Sequence, residues 1–376
     1  MFRLIYRQLL YDRYRTLLTA LAIGAVISLM LILDGFQQGL YHQLRMTVKN
    51  RGADLILSQA GVSNLIASRS IIPQLTRLDV EEIDGVKNAY PLTAISAIYQ
   101  KDDRKNPVYV FVYDVKGGPL SLVDGNFIDG PRGIIIDQAL AKLYDLAPGD
   151  SFVLTDFEFT ISGISENTAA FFTPFAFIKF DDLIDFYLES DIAADITTFP
   201  LLSYLLVELD DNVDKRTVSR AIETSIPDVD VFLPEELAKN DVQLGHELFG
   251  PILNLLVLIA YIIGLLAIGI IMFSTAHERK RSLAVVRALG FPVSKVAISV
   301  TIETAILVLI AFPVGMVIAQ IITYMITWVA PVYLVLPLDP STLLRTFSAC
   351  IVLSFLGAFI AIYIISRIDP EIAFRS

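Results

Sequence analysis

Residues 277–290 read HERKRSLAVVRALG and combine side chains suited to docking another protein. Glu278, Arg279, Lys280, Arg281 and Arg287 surround Leu283, Val286 and Leu289, whose spacing of three puts them on one face of a helix. Gly290 supplies a stop and Pro292 forbids continuation. The chemistry is non-covalent: an apolar stripe for a partner's cleft, with guanidinium groups at its rim. A plainer reading, basic residues that only anchor a loop at a membrane surface, stays open beside it. Residues for covalent chemistry are sparse. His42, His246 and His277 fall in no metal-ligand spacing such as HExxH. Cys350 lies in an apolar run, far in sequence from any histidine, which argues against a Cys–His nucleophile. The glycine-rich stretch 125–133 (GNFIDGPRG) lacks the Gly-Lys-Ser/Thr of a P-loop and reads as a turn. Acidic pairs such as Asp102-Asp103 and Asp210-Asp211 read as solvated surface. No catalytic residue, cofactor or metal site is expected, and the acidic balance argues against nucleic acid.

Two further features sit in apolar surroundings. Glu303 lies about seven residues past Lys295, hence about 10 Å into an apolar helix at ~1.5 Å per residue. An ionisable group there has a functional or interhelical role, or reaches back to the interface. Thr16, Ala20, Gly24 and Ser28 recur every four residues, a stripe along which a second subunit or the second span can approach closely. Ala260 and Gly264 repeat the pattern in shorter form.

The elements carrying these residues are membrane helices. The 376 residues are 55% hydrophobic, with mean hydropathy +0.62. Four runs are long enough to cross about 30 Å of hydrocarbon: 16–33, 251–273, 296–329 and 343–366. The third is too long for one straight crossing, and Pro313 with Gly315 predicts a kink. Residues 34–250 hold 34 acidic and 17 basic side chains, a net of −17, against +6 for the rest and −11 for the chain. By the positive-inside rule both termini and the 274–295 loop are cytoplasmic, while 34–250 and the 330–342 loop are outside. Arg345, near the outer end of the fourth run, is expected to snorkel to the interface.

Residues 1–15 suit an amphipathic helix in the inner interface, or the cytoplasmic start of a longer helix; 367–376 form a cytoplasmic tail. The first run lacks a small-residue cleavage site and reads as an uncleaved anchor. With Cys350 the single cysteine, the external domain has no disulfide and depends on its own core.

That domain reads as α+β. Strand 53–58, helix 79–84 and strand 86–90 form one unit; strand 205–209, helix 215–225 and strand 229–232 form another. Two such units around an insertion predict a ferredoxin-like pairing. The insertion, 95–200, is expected to be β-rich, with strands 108–115, 133–137, 151–155 and 157–164 and a helix over 139–146. Segments 35–51 and 234–250 are polar and helix-compatible, so they extend the membrane helices as a stalk or act as linkers.

Taken together, one span, a large external domain, three more spans and the loop Glu278-Arg279-Lys280-Arg281…Val286-Arg287-Ala288-Leu289-Gly290 resemble the FtsX-like permeases. These are the membrane subunits of type VII ABC transporters, among them MacB, the LolC and LolE pair, DevC and FtsX. Glu303 is similar to the family's third-span acid, followed by Pro313-x-Gly315, and Asp369-Pro370-Glu371-Ile372-Ala373-Phe374-Arg375 to its closing D-P-x-x-A-L-R. The stretch VDGNFIDGPRGIIIDQALAKLYDLAPGDSFVL resembles its periplasmic core domain, and GFQQGLY is closest to the DevC branch. Ser282 departs from the family, which usually has an acidic residue there, so a contact through that carboxylate is not carried over.

The resemblance implies a non-catalytic permease half in the bacterial cytoplasmic membrane. It would dimerise with the same or another subunit and bind a separate cytoplasmic ATPase through the 278–290 loop. ATP-driven motion would pass to the external domain and export a hydrophobic or amphipathic substrate, with a periplasmic adaptor and outer-membrane duct as further partners. FtsX-like signalling to a cell-wall hydrolase is the alternative within the family. A membrane receptor is the alternative outside it, although the longest cytoplasmic segment is only about twenty residues.

Overall fold

A computed structural model describes residues 13–66, 68–101, 104–189, 201–278, 285 and 292–366. In chain order α1 (Arg13–Lys49) precedes β1 (Leu55–Gln59), β2 (Ile72–Pro73), α2 (Thr76–Glu81), β3 (Val86–Lys101) and β4 (Arg104–Tyr113). There follow β5 (Leu122–Gly125), β6 (Gly133–Asp137), α3 (Gln138–Tyr144), β7 (Ser151–Leu154), β8 (Phe157–Ser165), β9 (Phe175–Lys179) and α4 (Leu183–Glu189). The chain continues through β10 (Leu201–Leu202), β11 (Tyr204–Leu209), α5 (Lys215–Ser225) and β12 (Val229–Phe232). It then forms α6 (Pro234–Glu278), α7 (Val293–Val329) and α8 (Pro340–Ser366). Two compact units result: Met1–Gly39, Gly250–Ile326 and Val335–Ser376 form a helical unit, and Leu40–Phe249 with Thr327–Leu334 forms a sheet unit.

Among the described residues, three helical stretches are long and apolar enough to cross a membrane: Thr16–Lys49, Pro234–Ser274 and Thr301–Val329. The described apolar part of α8, Pro340–Leu356, is shorter. Helix α1 has 37 residues and α6 has 45, about 55 and 68 Å at ~1.5 Å per residue, well beyond a crossing. Segments 35–49 and 234–250 are thus helical continuations of apolar runs. Helix α7 is assigned without interruption through Pro313. Ile23, Ile27 and Met30 of α1, Ala260 and Ile268 of α6, Val308 and Ala311 of α7, and Cys350 and Leu353 of α8 share one buried core.

The sheet unit is built on a ten-stranded sheet ordered β12-β1-β11-β3-β4-β9-β6-β8-β5, with β7 pairing β3 and β8. Its first four strands belong to two strand–helix–strand units and lie in the ferredoxin-like order, last-first-third-second. Strand β1 is antiparallel to both β11 and β12, with Leu57 opposite Leu205 and Val231. Helix α5 starts where Asp214 accepts from Thr217 N (3.1 Å) and Thr217 Oγ1 (2.6 Å), and it buries Val218 and Ile222 against this half.

The inserted half departs further from expectation. Strand β3 runs 16 residues, not five, because its first part pairs β11 and its remainder pairs β4. Strand β9, parallel to β4 and antiparallel to β6, was not expected, nor were β5 and α4. The core here is aromatic, with Tyr99, Phe152, Phe157, Phe159 and Phe186 all buried. Asp137 caps α3, its Oδ1 accepting from Ala139 N at 2.7 Å, while its Oδ2 accepts from Thr168 N and Oγ1. Burial raises its pKa against the pull of these hydrogen bonds.

Candidate functional site

The loop singled out by sequence joins α6 to α7. Glu278 is the last residue of α6. Arg279, Arg281, Leu283, Val286, Arg287, Leu289 and Gly290 lie outside the described residues, and of 279–291 only Val285 is described, with its side chain exposed.

The small residues of α1 are placed in the helical core. Ala20 and Ser28 are buried, and Ser28 Oγ donates to Ala25 O at 2.7 Å, so its hydroxyl is satisfied within its own helix. A Cβ on Gly24 would lie 3.0 Å from Val314 Cγ1 and 3.2 Å from Gly315 N. A Cβ on Gly315 would lie 2.8 Å from Ile27 Cγ2 and 3.0 Å from Gly24 O. Within this chain the neighbour at Gly24 is therefore α7. Gly315 is the reason: two bare backbones approach more closely than a glycine and a side chain can. Gly264 on α6 meets α1 one turn further on, its Cβ position against Met30 Cε, and Ala260 is buried in the same core. Glu303 is 8% exposed on α7, beside Thr304, whose hydroxyl donates to Met272 Sδ.

Where the helical unit passes from apolar to polar sequence, pairing is dense. Arg345 Nη2 is 2.8 Å from Asp34 Oδ1, and Nε donates to Oδ2 at 2.9 Å. Arg345, expected to snorkel to the interface, thus also pairs with a buried carboxylate. Asp34 begins the polar sequence after the first apolar run; its Oδ2 accepts the hydrogen bond and its Oδ1 makes the ion-pair contact. Its side chain is fully buried, whereas that of Arg345 stays 45% exposed. Gln37 Nε2 donates to Asn254 Oδ1 at 2.8 Å, tying α1 to α6. Leu336 N donates to Gly35 O at 3.0 Å, and a Cβ on Gly35 would meet Leu336 C and Pro337 N at 2.7 Å.

Two ionisable residues of the sheet unit escaped the sequence reading. Arg51, expected at the end of a polar connector, is 1% exposed. Its Nε donates to Thr47 O (2.9 Å) and its Nη1 to Gly117 O (2.5 Å), and the guanidinium lies over the rings of Phe111 (4.7 Å) and Phe177 (5.1 Å). Burial lowers its pKa to about 9, still protonated at neutral pH. Asp241 of α6 is also 1% exposed, and Leu65 N donates to its Oδ1 at 3.0 Å. Burial pushes its carboxyl up to about 7. Of the histidines, His246 packs on Tyr41 and His277 on Phe273. Among the described residues no group of three His, Cys, Asp or Glu is placed to hold a metal ion. What this arrangement can do is hold helices in register and bury selected charges.

Two successive regions of the chain match known families. Residues 16–225 match the MacB-like periplasmic core domain, and residues 254–370 match the FtsX-like permease C-terminal domain. An uncharacterized ABC transporter permease of Mycobacterium tuberculosis is 21% identical over 374 residues, covering 98% of this chain and 97% of the relative. One of Mycobacterium bovis is 22% identical over 375 residues, covering 98% and 97%. The periplasmic region of MacB from Actinobacillus actinomycetemcomitans aligns with a TM-score of 0.36 at 10% identity, over 51% of this chain and 94% of that one. With the first of these domains spanning more than half of its length and the second most of the remainder, the chain belongs to the MacB/FtsX-like family of ABC transporter permeases.

Proposed function

We propose that this permease couples ATP hydrolysis by a separate cytoplasmic ABC ATPase to motion of its external domain, exporting a hydrophobic or amphipathic substrate. In this reading the chain crosses the bacterial cytoplasmic membrane four times, at 16–33, 251–273, 296–329 and 343–366. Both termini and the 274–295 loop are inside, and 34–250 is outside. The charge split of −17 against +6 supports that orientation. Hydrolysis belongs to the partner, and the permease itself is not catalytic. A second permease subunit completes the membrane assembly; an adaptor and an outer-membrane duct are the further partners this reading admits.

The observation that carries the reading is helix continuity. Helices α1 and α6 each run past the length of a crossing into the segments expected outside, α6 with Pro251 inside it. A helix passes a displacement along its axis, where a flexible linker absorbs it. Glu303 has a structural and mechanical role here, since ATP supplies the energy. Leu283, Val286 and Leu289 form the face that inserts into the ATPase, with Glu278, Arg279, Arg281 and Arg287 at its rim and Gly290 ending the helix.

Leu289→Asp tests this directly. Apolar anchors at the centre of such a contact are worth about 2 kcal/mol or more each. The variant should release the ATPase in co-purification, or uncouple hydrolysis from transport, while Arg281→Ala should be milder because rim charges act mainly on association rate. Undiminished ATPase binding and transport in Leu289→Asp would reduce the loop to a membrane anchor. Topology is checked with single cysteines at Asp103 and Ser294 in a Cys350→Ala background, labelled from outside and inside respectively. External labelling at Ser294 would sink the four-span arrangement.

A further inference from the structure

The sheet unit carries a cleft of about 300 Å³, open to solvent, between Arg51, the turn after β4 and the glycine-rich stretch after β5. The turn comes down close because Gly117 and Gly118 have no side chains: a Cβ on Gly118 would lie 2.7 Å from the Tyr113 ring. Three cationic residues, Arg51, Lys116 and Lys179, line the cavity, and among the described residues no Asp or Glu does. That is unexpected in a segment of net charge −17.

The three cations are not equivalent. Lys116 is 3.4 Å from Glu208 Oε1, so its charge is already met. Lys179 donates to the carbonyl of Asp114 at 2.6 Å and lies 4.4 Å from the centre of the Tyr113 ring, contacts that attract an ammonium without neutralising it. Arg51 has spent Nε and Nη1 on backbone carbonyls, while its Nη2 is buried and has no hydrogen-bond partner among the described residues. A buried guanidinium nitrogen left without an acceptor is costly. Much of the remaining lining is apolar, including Ile128 and, at 61% and 52% exposed, Leu120 and Phe127. The volume is at the small end of ligand cavities, which run from about 300 to 1,000 Å³.

We propose that this cavity binds an anionic amphiphile, its phosphate or carboxylate held by Arg51 and Lys179 and its apolar chain by Leu120, Phe127 and Ile128. Such a ligand sets an anion against the Arg51 and Lys179 side of the cavity and covers apolar side chains otherwise left in water. As a statement of substrate class it rests on the export reading; as a binding site it does not.

Calorimetric titration of the full chain in nanodiscs of a neutral phosphatidylcholine tests it, with hexyl phosphate as the probe. Hexyl phosphate should bind at least about tenfold more tightly than either hexanol or inorganic phosphate, because both parts of the site are used. Lys179→Gln should weaken hexyl phosphate about tenfold or more. Phe127→Ser, at an exposed position, should weaken hexyl phosphate and leave inorganic phosphate unchanged. Competition by phosphatidic acid included in the nanodisc would assign the headgroup to a lipid, and lack of competition to a soluble amphiphile; both uphold the site. No binding, equal binding of hexanol or of inorganic phosphate, or a Lys179→Gln variant that binds like the parent would overturn it. The titration contains no nucleotide and no ATPase, so its failure would leave the export reading standing.

Discussion

In the helical unit the tightest places are those with least side chain. Gly24 meets Gly315 backbone to backbone, Gly264 admits the tip of Met30, and Gly35 lies against the peptide joining Leu336 to Pro337. In the sheet unit the tight places surround the largest side chains. Arg51 lies over Phe111 and Phe177. Tyr99 stacks on Phe152 with centroids 4.1 Å apart and planes 2° from parallel. The contrast follows from solvent. Apolar helices gain little by leaving lipid for one another, so their association depends on close backbone approach. A domain in water gains by burying large apolar area. Adding atoms should therefore damage the helical unit, and removing them should damage the sheet unit.

The largest effect is expected from Arg51→Ala. It leaves the carbonyls of Thr47 and Gly117 without their donor and opens a void beside two phenylalanine rings. A loss of about 3–5 kcal/mol should appear in denaturant unfolding of the sheet unit. A loss below about 1 kcal/mol would erase the contrast between the units.

Asp241→Asn sharpens the same contrast with the opposite sign. The folded carboxyl titrates at about 7, above the ordinary value near 3.9, so the folded state holds a proton that the unfolded chain releases. Stability is then full below about pH 4, falls as the pH rises towards 7, and levels off above it. Asparagine cannot titrate and can still accept from Leu65 N. The variant should match the parent near pH 4 and exceed it by about 2–4 kcal/mol at pH 8, read from thermal unfolding at the two pH values. A variant less stable than the parent at pH 8 would mean that the native carboxylate is charged and held by groups other than Leu65 N.

The smallest effects separate two glycines of the helical unit. Alanine at Gly35 puts a methyl 2.7 Å from backbone atoms that cannot turn aside, whereas at Gly264 the obstacle is the flexible end of Met30. Gly35→Ala should cost about 1–3 kcal/mol and Gly264→Ala less than about 1. Thermal loss of folded protein in mild detergent measures both, and equal losses would mean that the nature of the obstacle does not matter.

Sequence reading worked best where a signal was local. Helix α5 was legible to its last residue, its helical pattern placing Val218 and Ile222 on one inner face. Strand β6 was legible as a short apolar run. Strand β9 was not, because FAFIK follows two phenylalanines and a proline and is buried on both faces, which removes the alternation that marks a strand. The small residues of α1 were legible as a packing face, but not the partner, which depends on Gly315 some 290 residues away. Arg51 could not be read at all. A basic residue after a helix looks solvated until Phe111 and Phe177 close over it, and no local pattern announces such a contact.

The strand order also sets a timetable for making the protein. Leu55, Ile56 and Leu57 are synthesised early, yet both neighbours of their strand, β11 and β12, lie about 150 residues or more further along. At roughly 5–20 residues per second the ribosome needs about 8–30 s to supply them. During that interval β4, β6, β8 and β9 can pair among themselves, since all of their residues precede 180. The nascent domain is thus completed from the middle of its sequence outward. A chain halted before residue 204 would carry a largely paired insert beside one apolar strand with both edges open, the form most exposed to misassociation and most in need of a chaperone.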